Sequence, residues 1–420
     1  MQVRIHRGTA EIGGSCIEIA AHDGNRIVLD LGRPLWAEWG QKIPLPSVPG
    51  FAEPDPSLLA LIISHPHLDH YGLAADLEVD VPVYIGKEAA ALLLAASYFS
   101  PVSSALEPRG YLSHREPFTL GPFTITPFLN DHSAFDAYSL LVEADGQRLF
   151  YTGDIRGHGR KRALFEELLA RPPDSVDALL MEGTHVREHG AHDDSVFETE
   201  SELEDRFVTL CADTAGAVVV FGSAQNLDRL VTVYRAARRS GRQLVVDLYG
   251  ATVAAATRST IPQPGFEDLR VYVPRRQRVL VKKSEQFWRT TEIKPHRVFP
   301  EELAQAPDKF IFHVPSSTAR ELIDAEVLDE RGVVAWSMWE GYLRTPSGLA
   351  LQALLAASQI ALTDVHTSGH ASVADLRRLV DALAPTKVVP IHSEAGDRFA
   401  DLFPSVERQA DGDWWEVGNS

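Results

Sequence analysis

Cysteine is scarce in this sequence: Cys16 and Cys211 are the only two among 420 residues. Two thiols cannot supply a disulfide framework or a four-cysteine zinc site, and so low a cysteine content is typical of proteins from reducing compartments. No apolar run approaches the ~18 residues that a membrane span needs. The segment MQVRIHRGTAEIGG lacks the apolar core of a signal peptide. We therefore expect a cytoplasmic protein that does not associate with membranes.

Positive charge is also in short supply. With 40 Lys and Arg against 58 Asp and Glu, the chain carries a net charge of −18, which by itself argues against a polyanionic partner. Residues 270–297 depart from this composition. This basic strip holds nine basic and two acidic residues, so it carries +7 and the rest of the chain −25. Two interpretations stay open: a local binding site for a phosphate backbone, or a solvated, twisted pair of strands with arginines on its outer face.

The hydrophobic pattern predicts more than one folded domain. Hydrophobic residues make up 45% and charged residues 23% of the chain, the ordinary globular mixture. Residues 1–190 read as many short strands with a few helices, residues 191–360 as strand–helix–strand units typical of a parallel sheet, and residues 361–420 as a return to the first pattern. We predict an α/β protein in which an α/β domain at 191–360 is inserted into a layered first domain.

The strongest chemical signal is the sequence HPHLDH at residues 65–70, directly after the buried strand LALIIS. Imidazole and carboxylate groups are ligands that suit zinc, with manganese as the second choice. Residues two apart on an extended strand point to the same side, so His65 and His67 are placed to share one ion. Asp69 and His70 can then turn toward a neighbouring ion. The sequence therefore indicates a metal site at the end of this strand.

Three further candidate ligands stand at the ends of apolar strands. His132 follows FTITPFLND, Asp154 follows RLFYTG and His392 follows KVVPI. A lone histidine is more often structural than a ligand, but the repeated position after a strand favours a second set of ligands. A carboxylate at Asp154 is suited to bridge two ions. A polar loop without a metal is the preferred interpretation of three other clustered histidines, His185, His189 and His192.

This order of motifs resembles the metallo-β-lactamase superfamily. Three more motifs resemble its β-CASP nuclease branch, which includes ribonuclease J and the endonuclease subunit of pre-mRNA 3′-end cleavage. They are MEGT at 181–184, HTSGHA at 366–371 and PIHSE at 390–394. The resemblance covers about residues 5 to 395. It implies an αββα metallo-β-lactamase sandwich (1–190 and 361–420) with an inserted β-CASP domain (191–360).

The resemblance also implies the roles of individual residues. Two Zn²⁺ ions, with Mn²⁺ as the alternative, would activate a hydroxide between them as the nucleophile. Glu182 would orient His370, and His370 would contact the scissile phosphate or protonate the leaving oxygen. With these two, Asp69 is the third implied catalytic residue. The implied ligands are His65, His67 and His132 for one ion, Asp69, His70 and His392 for the other, and Asp154 as the bridge.

Two loops are candidate phosphate-binding elements. In HTSGHA, the resemblance implies that a serine and a glycine amide cradle the phosphate, since glycine permits close backbone approach. In the inserted domain, GSAQNLDR at 222–229 lies between a strand and a helix, and helix N-termini attract phosphate. An ordinary helix cap by Asn226 is the alternative. The candidate substrate-binding residues are His366, Ser368, Gly369, Ser223, Asn226 and Arg229.

The sequence thus predicts a zinc-dependent ribonuclease that hydrolyses RNA phosphodiester bonds, as an endonuclease, a 5′-exonuclease or both. Two alternatives stay open: a single-stranded DNA nuclease of the same fold, and a small-molecule metallo-hydrolase of the lactonase or thioesterase type. The expected partner is single-stranded RNA, with single-stranded DNA second, and the oligomeric state, including a homo-oligomer, is left open. Nothing in the sequence separates RNA from DNA, because recognition of the 2′-hydroxyl depends on three-dimensional geometry.

Overall fold

The structure is a computed structural model that describes residues 1–38, 40–188 and 196–418. The chain forms two compact units: the first comprises Met1–Phe197 and Gly369–Ser420, and the second comprises Glu198–Ser368. The expected boundary near residue 190 and the histidines at 189 and 192 lie outside the described residues. The chain re-enters the first unit a few residues later than the expected position of 361.

The described residues contain the following strands: β1 (Gln2–Arg7), β2 (Cys16–Ala20), β3 (Arg26–Leu29), β4 (Leu58–Ile62), β5 (Val83–Gly86), β6 (Gly110–Leu112), β7 (Phe118–Leu120), β8 (Phe123–Leu129), β9 (Tyr138–Ala144), β10 (Gln147–Tyr151), β11 (Ala178–Glu182), β12 (Val218–Phe221), β13 (Gln243–Asp247), β14 (Leu269–Tyr272), β15 (Phe310–Val314), β16 (Val333–Trp336), β17 (Ala361–Asp364), β18 (Lys387–Ile391) and β19 (Trp414–Glu416).

The α-helices of the same residues are α1 (Leu68–Tyr71), α2 (Lys87–Ser97), α3 (Arg162–Ala170), α4 (Glu200–Asp213), α5 (Leu227–Ser240), α6 (Leu248–Ala255), α7 (Arg275–Ser284), α8 (Trp288–Glu292), α9 (Pro300–Gln305), α10 (Ala319–Asp324), α11 (Pro346–Ala357), α12 (Val373–Leu383) and α13 (Phe399–Leu402). Within the described part of the chain, no helix has both the length and the hydropathy of a membrane span.

The first unit is built on two sheets. One has the strand order β19-β1-β2-β3-β4-β5-β6 and the other β18-β11-β10-β9-β8-β7. Side chains such as Ile19, Ile62, Leu140 and Leu180 from both sheets pack into one core between them. The opposite face of the second sheet is covered by α3 and α12. Phe165 of α3 belongs to the separate core on that face. Because the second sheet is covered on both faces, strands such as β11 (ALLME) and β18 (KVVPI) are buried along their whole length.

The second sheet brings four strand ends to one edge. β10 runs parallel to β11, and β11 runs parallel to β18. β8 has the same direction as β10, because each is antiparallel to β9. The carboxyl ends of these four strands therefore lie along the same edge, which is where the chain places the predicted chemistry. β2 and β3 form an antiparallel hairpin, and so do β9 and β10.

The second unit has a single six-stranded sheet in the order β14-β13-β15-β12-β16-β17. All five strand pairs are parallel. Its strands are almost continuous runs of β-branched and aromatic residues, VVVF in β12 for example, as expected where helices cover both faces. The predicted α/β character of the inserted segment is confirmed.

The basic strip is helical. Residues 275–284 form α7, and α8 follows it after a short connection. The interpretation of the strip as a pair of twisted strands was wrong, since β14 is its one strand among the described residues. The apolar residues Val279, Leu280 and Val281 suggest a strand locally. Burial of Gln277 and Val281 on one side, four residues apart, instead stabilises a helix.

Candidate metal centre

Strand ends of the first unit place the predicted ligands. His65 comes three residues after β4, and His392 directly follows β18. Asp154 follows β10 through Gly153, whose φ of 54° lies in the left-handed region. A Cβ on Gly153 would lie only 3.1 Å from the carbonyl oxygen of Tyr138. Glycine at this position therefore lets the chain turn sharply and present the Asp154 carboxylate.

The structure brings all seven predicted ligands together. Their ligand atoms form groups in which all atoms lie within 4.8 Å of one another. A third group, which includes Glu182 and His370, shares Asp154 and His392 with the second. The groups are His65, His67, His132 and Asp154; Asp69, His70, Asp154 and His392; and Asp154, Glu182, His370 and His392.

Asp154 lies at the centre of the site. Its Oδ2 is 3.6 Å from Nε2 of His65, 3.2 Å from Nε2 of His70 and 3.9 Å from Nε2 of His132. Its Oδ1 is 3.8 Å from Nδ1 of His392. One carboxylate thus faces imidazoles of both groups, as a bridging ligand must.

Unpartnered polar atoms indicate that the site is built for cations. Among the described residues, four buried atoms here have no hydrogen-bond partner: Nε2 of His65, Nε2 of His70, and Oδ1 and Oδ2 of Asp154. A buried carboxylate without donors is costly unless it is paired or coordinates a metal. The donor set of imidazoles and carboxylates suits Zn²⁺. The residues present therefore fit two metal ions.

Burial sets the protonation of most of these ligands. It lowers the pKa of His65 and of His132 well below the usual range, and neighbouring imidazoles lower both further. Burial also lowers the pKa of His67 to about 4. For Asp69, burial alone would raise the pKa, but His392 and His70 bring it to about 2. Neutral imidazoles and ionised carboxylates are the forms that bind metal.

His70 is the exception. Burial would lower its pKa, but the carboxylates of Asp154 and Asp30 raise it well above the usual range. A proton on Nε2 of this ring occupies the position that a cation would take. Metal binding to such a ligand releases a proton.

A buried carboxylate that the sequence motifs left without a role, Asp30, orients two of the ligands. Its Oδ2 accepts hydrogen bonds from Nδ1 of His70 at 2.7 Å, from Oγ of Ser64 at 2.7 Å and from the Tyr151 hydroxyl at 2.5 Å. Since the Ser64 hydroxyl donates to Asp30, it accepts from Nδ1 of His65, 3.0 Å away. Both imidazoles are thereby fixed with Nε2 toward the metal site.

The other ligands have equally specific supports. Nδ1 of His132 donates to the carbonyl oxygen of Gly369 at 2.5 Å, which leaves the lone pair of Nε2 facing Nδ1 of His67 at 3.1 Å. The Thr184 hydroxyl contacts Nδ1 of His392 at 2.9 Å and Nδ1 of His370 at 3.1 Å. With its proton on Nδ1, neutral His67 donates to this lone pair of His132, and a cation held by both rings would replace that proton.

Glu182 and His370 form the pair that was predicted from the motifs. Oε2 of Glu182 lies 3.2 Å from Nδ1 of His370. Oε1 accepts from the backbone amides of Ile155 at 3.1 Å and Ala371 at 3.4 Å. Burial alone would lower the pKa of His370, but Glu182 and Asp154 raise it to about 9. The pair is held rigidly beside the ligands.

The remaining predicted contacts lie in the second unit, apart from Gly369. Ser223 is exposed at the start of the loop before α5, and Asn226 caps that helix by accepting from the Arg229 amide at 3.0 Å. The cap that sequence reasoning offered as the alternative is therefore present. His366 and Ser368 follow β17 at the end of the unit. The substrate-binding roles of these residues stay predictions.

The burial of Arg229 argues against its predicted contact with a substrate phosphate. It is 0% exposed, and its guanidinium pairs with Glu200 at 3.1 Å and also contacts Ser337. The guanidinium therefore holds α4, α5 and the end of β16 together inside the unit. Sequence proximity to the loop could not reveal this, because burial of an arginine depends on a distant carboxylate.

Comparison with known families agrees with this geometry. Residues 26–221 match the family model described as a β-lactamase superfamily domain. Residues 359–408 match the Zn-dependent metallo-hydrolase RNA specificity domain. The chain therefore carries a metallo-β-lactamase domain with that accessory domain, and it is a metal-dependent hydrolase.

Individual relatives point to one branch of this class. Ribonuclease J of Sinorhizobium meliloti is 25% identical over 91% of this chain and 70% of its own length. An RNase J-like protein of Methanocaldococcus jannaschii is 26% identical over 59% of this chain and 57% of its own. Ribonuclease J of Mycobacterium tuberculosis is 27% identical over 56% of this chain and 42% of its own. These relatives are consistent with the β-CASP ribonuclease branch, as the motifs predicted.

A solved structure shares the whole fold. A protein of unknown function from Enterococcus faecalis V583 superposes with a TM-score of 0.77 at 21% identity and covers 99% of each chain. At this identity the likeness concerns the fold alone. The fold of this chain therefore occurs in another protein.

We predict two zinc ions per chain in the fully loaded protein, because seven ligand atoms converge in two groups. Elemental analysis of the purified protein should approach this ratio. His67→Ala should lose metal and hydrolase activity together, since His67 supplies a ligand atom to one group. His22→Ala, which removes an imidazole that is 65% exposed, should retain both ions. A fully active protein with one ion or none would contradict the prediction.

Proposed function

We propose that this protein hydrolyses phosphodiester bonds in RNA, with Zn²⁺ as its metal. The observation that carries the proposal is the Glu182–His370 pair beside the metal ligands. A hydrolase that cleaves a phosphodiester needs a proton for the leaving alkoxide oxygen. Support for RNA as the polymer comes from the relatives named ribonuclease J and from the accessory domain, whose matched span of 359–408 includes His370.

His370 lies on the more exposed side of the site. Its side chain is 21% exposed and that of Asp69 is 14% exposed, whereas those of His70 and His392 are each 1% exposed. Nδ1 of His370 lies 3.7 Å from Oδ2 of Asp154, so a group bound at the metals also lies near this ring. The ring is thus placed between the buried ligands and the open side of the site, where a substrate arrives.

The chain's own residues then account for the proton transfer. Two bound cations would acidify water and polarise the phosphate. Glu182 holds Nδ1 of His370, and its negative charge keeps the imidazole protonated. We assign Nε2 of His370 as the atom that gives a proton to the leaving 3′-oxygen as the P–O bond breaks, so that the 5′-phosphate stays on the downstream product.

The exposed face of α7 supports a polyanionic substrate. Arg275, Arg276, Lys282 and Lys283 lie within about a third of the helix circumference, opposite the buried Gln277. All four are exposed. In the described residues, no carboxylate oxygen lies within 4.0 Å of their side-chain nitrogens. An acidic chain that keeps four unpaired cations on one face offers a local site for phosphates.

Two of these four charges lie where they do not stabilise the helix itself, whereas Lys282 and Lys283 lie in the last turn, where the helix dipole favours cations. Arg275 and Arg276 occupy the first turn, where the helix dipole disfavours cations, and that turn contains no acidic residue. Glu321 caps the helix by accepting from the Arg275 amide at 2.9 Å. Because the cap comes from another helix, the two arginine side chains have no role in it. Phosphate binding gives the two arginines a reason to be there.

We predict that the loaded protein cleaves single-stranded RNA and leaves 5′-phosphorylated downstream products. The assay compares 5′-phosphorylated and 5′-triphosphorylated strands of RNA and DNA, each with the loaded and the metal-depleted protein. Cleavage of RNA that disappears on metal depletion supports the proposal. Cleavage of DNA alone would move the function to a DNA nuclease. Turnover of lactones or thioesters without cleavage of either polymer would overturn the nuclease assignment.

Glu182 and His370 are predicted to act as one unit. His370→Ala should lower turnover by roughly 10²–10⁴-fold while both ions are retained, since a positioned general acid contributes about this much. Glu182→Gln should cost nearly as much, and the double variant little more than the worse single one. Single-turnover kinetics and metal analysis of the same samples provide the measurement.

Two outcomes count against this unit. If the two effects multiply, the residues act independently. If His370→Ala removes an ion, His370 is a ligand of the third group instead of a proton donor, and the assigned roles are wrong.

The face of α7 is predicted to contact phosphates of any sequence. Reversal of Arg275, Arg276, Lys282 and Lys283 to Glu should weaken binding of single strands. It should also shallow the dependence of log K on log salt by roughly 0.7 per lost contact. Arg235→Glu, a reversal on an exposed position of α5, serves as the matched control. An unchanged salt slope would show that the face is merely solvated.

A further inference from the structure

An exposed tryptophan lies on the first unit close to the metal centre. The side chains of Leu35 and Trp36 are each 61% exposed, side by side in a turn after β3. Tryptophan is among the more buried residues on average, so the exposure of this indole to solvent requires an explanation. Neither residue has a part in the metal site or in the proton transfer described above.

The indole is held in place although it is exposed. Nε1 of Trp36 donates to Oε2 of Glu11 at 3.0 Å, and Oε1 of Glu11 lies 3.5 Å from Nε of Arg7. The turn itself is fixed by the Ala37 amide, which donates to the carbonyl of Pro34 at 3.2 Å. A ring whose N–H is already bonded loses little further freedom when a ligand stacks on its face.

The same turn is tied directly to the helix that carries two metal ligands. The Arg33 amide donates to the carbonyl of Leu68 in α1 at 2.8 Å. Gly13, with φ of 80°, lies between this turn and α1. A Cβ there would lie 2.9 Å from Cγ of Leu35 and 3.0 Å from Oδ2 of Asp69. Only Gly13 therefore separates the Leu35 side chain from the Asp69 carboxylate, which is a predicted metal ligand.

We propose that Trp36 is a stacking platform for one nucleobase of the single strand whose phosphate lies at the metal centre. This proposal rests on the proposed function. Every base has a π-face, so one aromatic side chain can hold any base, and such stacking is independent of the 2′-hydroxyl. Leu35 extends the apolar surface beneath the sugar or the adjoining base. The site would select a polymer with bases over a phosphodiester that lacks them.

The experiment moves a single abasic nucleotide along an otherwise constant strand, in RNA and in DNA. For the wild-type protein, the abasic site at one position should raise KM by about 5- to 150-fold, the range expected for loss of one stacked base, with kcat unchanged. Trp36→Ala should raise KM of the intact strand by a similar factor and become insensitive to the abasic site at that position. Trp36→Phe should fall between the two.

Trp414→Ala is the matched control, because Trp414 is also exposed in the first unit, at 40%, on the edge strand β19. It should behave as the wild type does. If Trp36→Ala keeps the wild-type abasic profile while RNA is still cleaved, the platform is overturned and the proposed function stands. If only DNA is cleaved and its profile depends on Trp36, the platform stands and RNA as the substrate is overturned. If neither polymer is cleaved, both fall.

Discussion

The rest of the structure depends on one buried anion. The carboxylate of Asp154 is 1% exposed, has no hydrogen-bond donor among the described residues and faces imidazoles on several sides. Charge buried in this way is stable only when it is compensated. Burial keeps His65 and His132 neutral, so the imidazoles whose pKa Asp154 raises, those of His70 at 3.2 Å and His370 at 3.7 Å, balance the charge when no metal is bound. Bound metal ions would take the place of the His70 proton, so protonation of this edge and metal binding are linked.

The strand order of the first unit places the surrounding side chains next to the Asp154 carboxylate. Four strands of the second sheet end at one edge, and β4 of the first sheet contributes its own end. The chain then leaves for the whole second unit and returns at Gly369. The first two residues after the return both contact the site. The Gly369 carbonyl accepts a hydrogen bond from His132, and His370 pairs with Glu182. The chain can hold a whole unit between Glu182 and His370 because the returning segment is bonded to the Glu182 carboxylate, through the His370 ring and the Ala371 amide.

The sequence located the seven clustered side chains because each is marked locally; their role as metal ligands stays a prediction. HPHLDH places four donors within one strand end, and the other ligands each follow an apolar strand. The sequence assigned no role to Asp30 or Thr184, since their partners are fixed only by tertiary contacts. Arg229 illustrates the opposite case: the local signal suggested a phosphate contact, and a carboxylate at Glu200, distant in sequence, withdrew the guanidinium into the core. One of the two interpretations of the basic strip was a pair of strands, because burial on one helix face cannot be recognised in a short basic segment.

The most direct test of the two-ion site is anomalous diffraction at the zinc absorption edge from crystals of the loaded protein. We expect two anomalous peaks on either side of the Asp154 carboxylate, about 3.5–4 Å apart, with Glu182 and His370 outside both coordination shells. A single peak would contradict the two-ion site. A peak coordinated by Glu182 and His370 would contradict the division between metal ligands and proton donor on which the proposed chemistry rests.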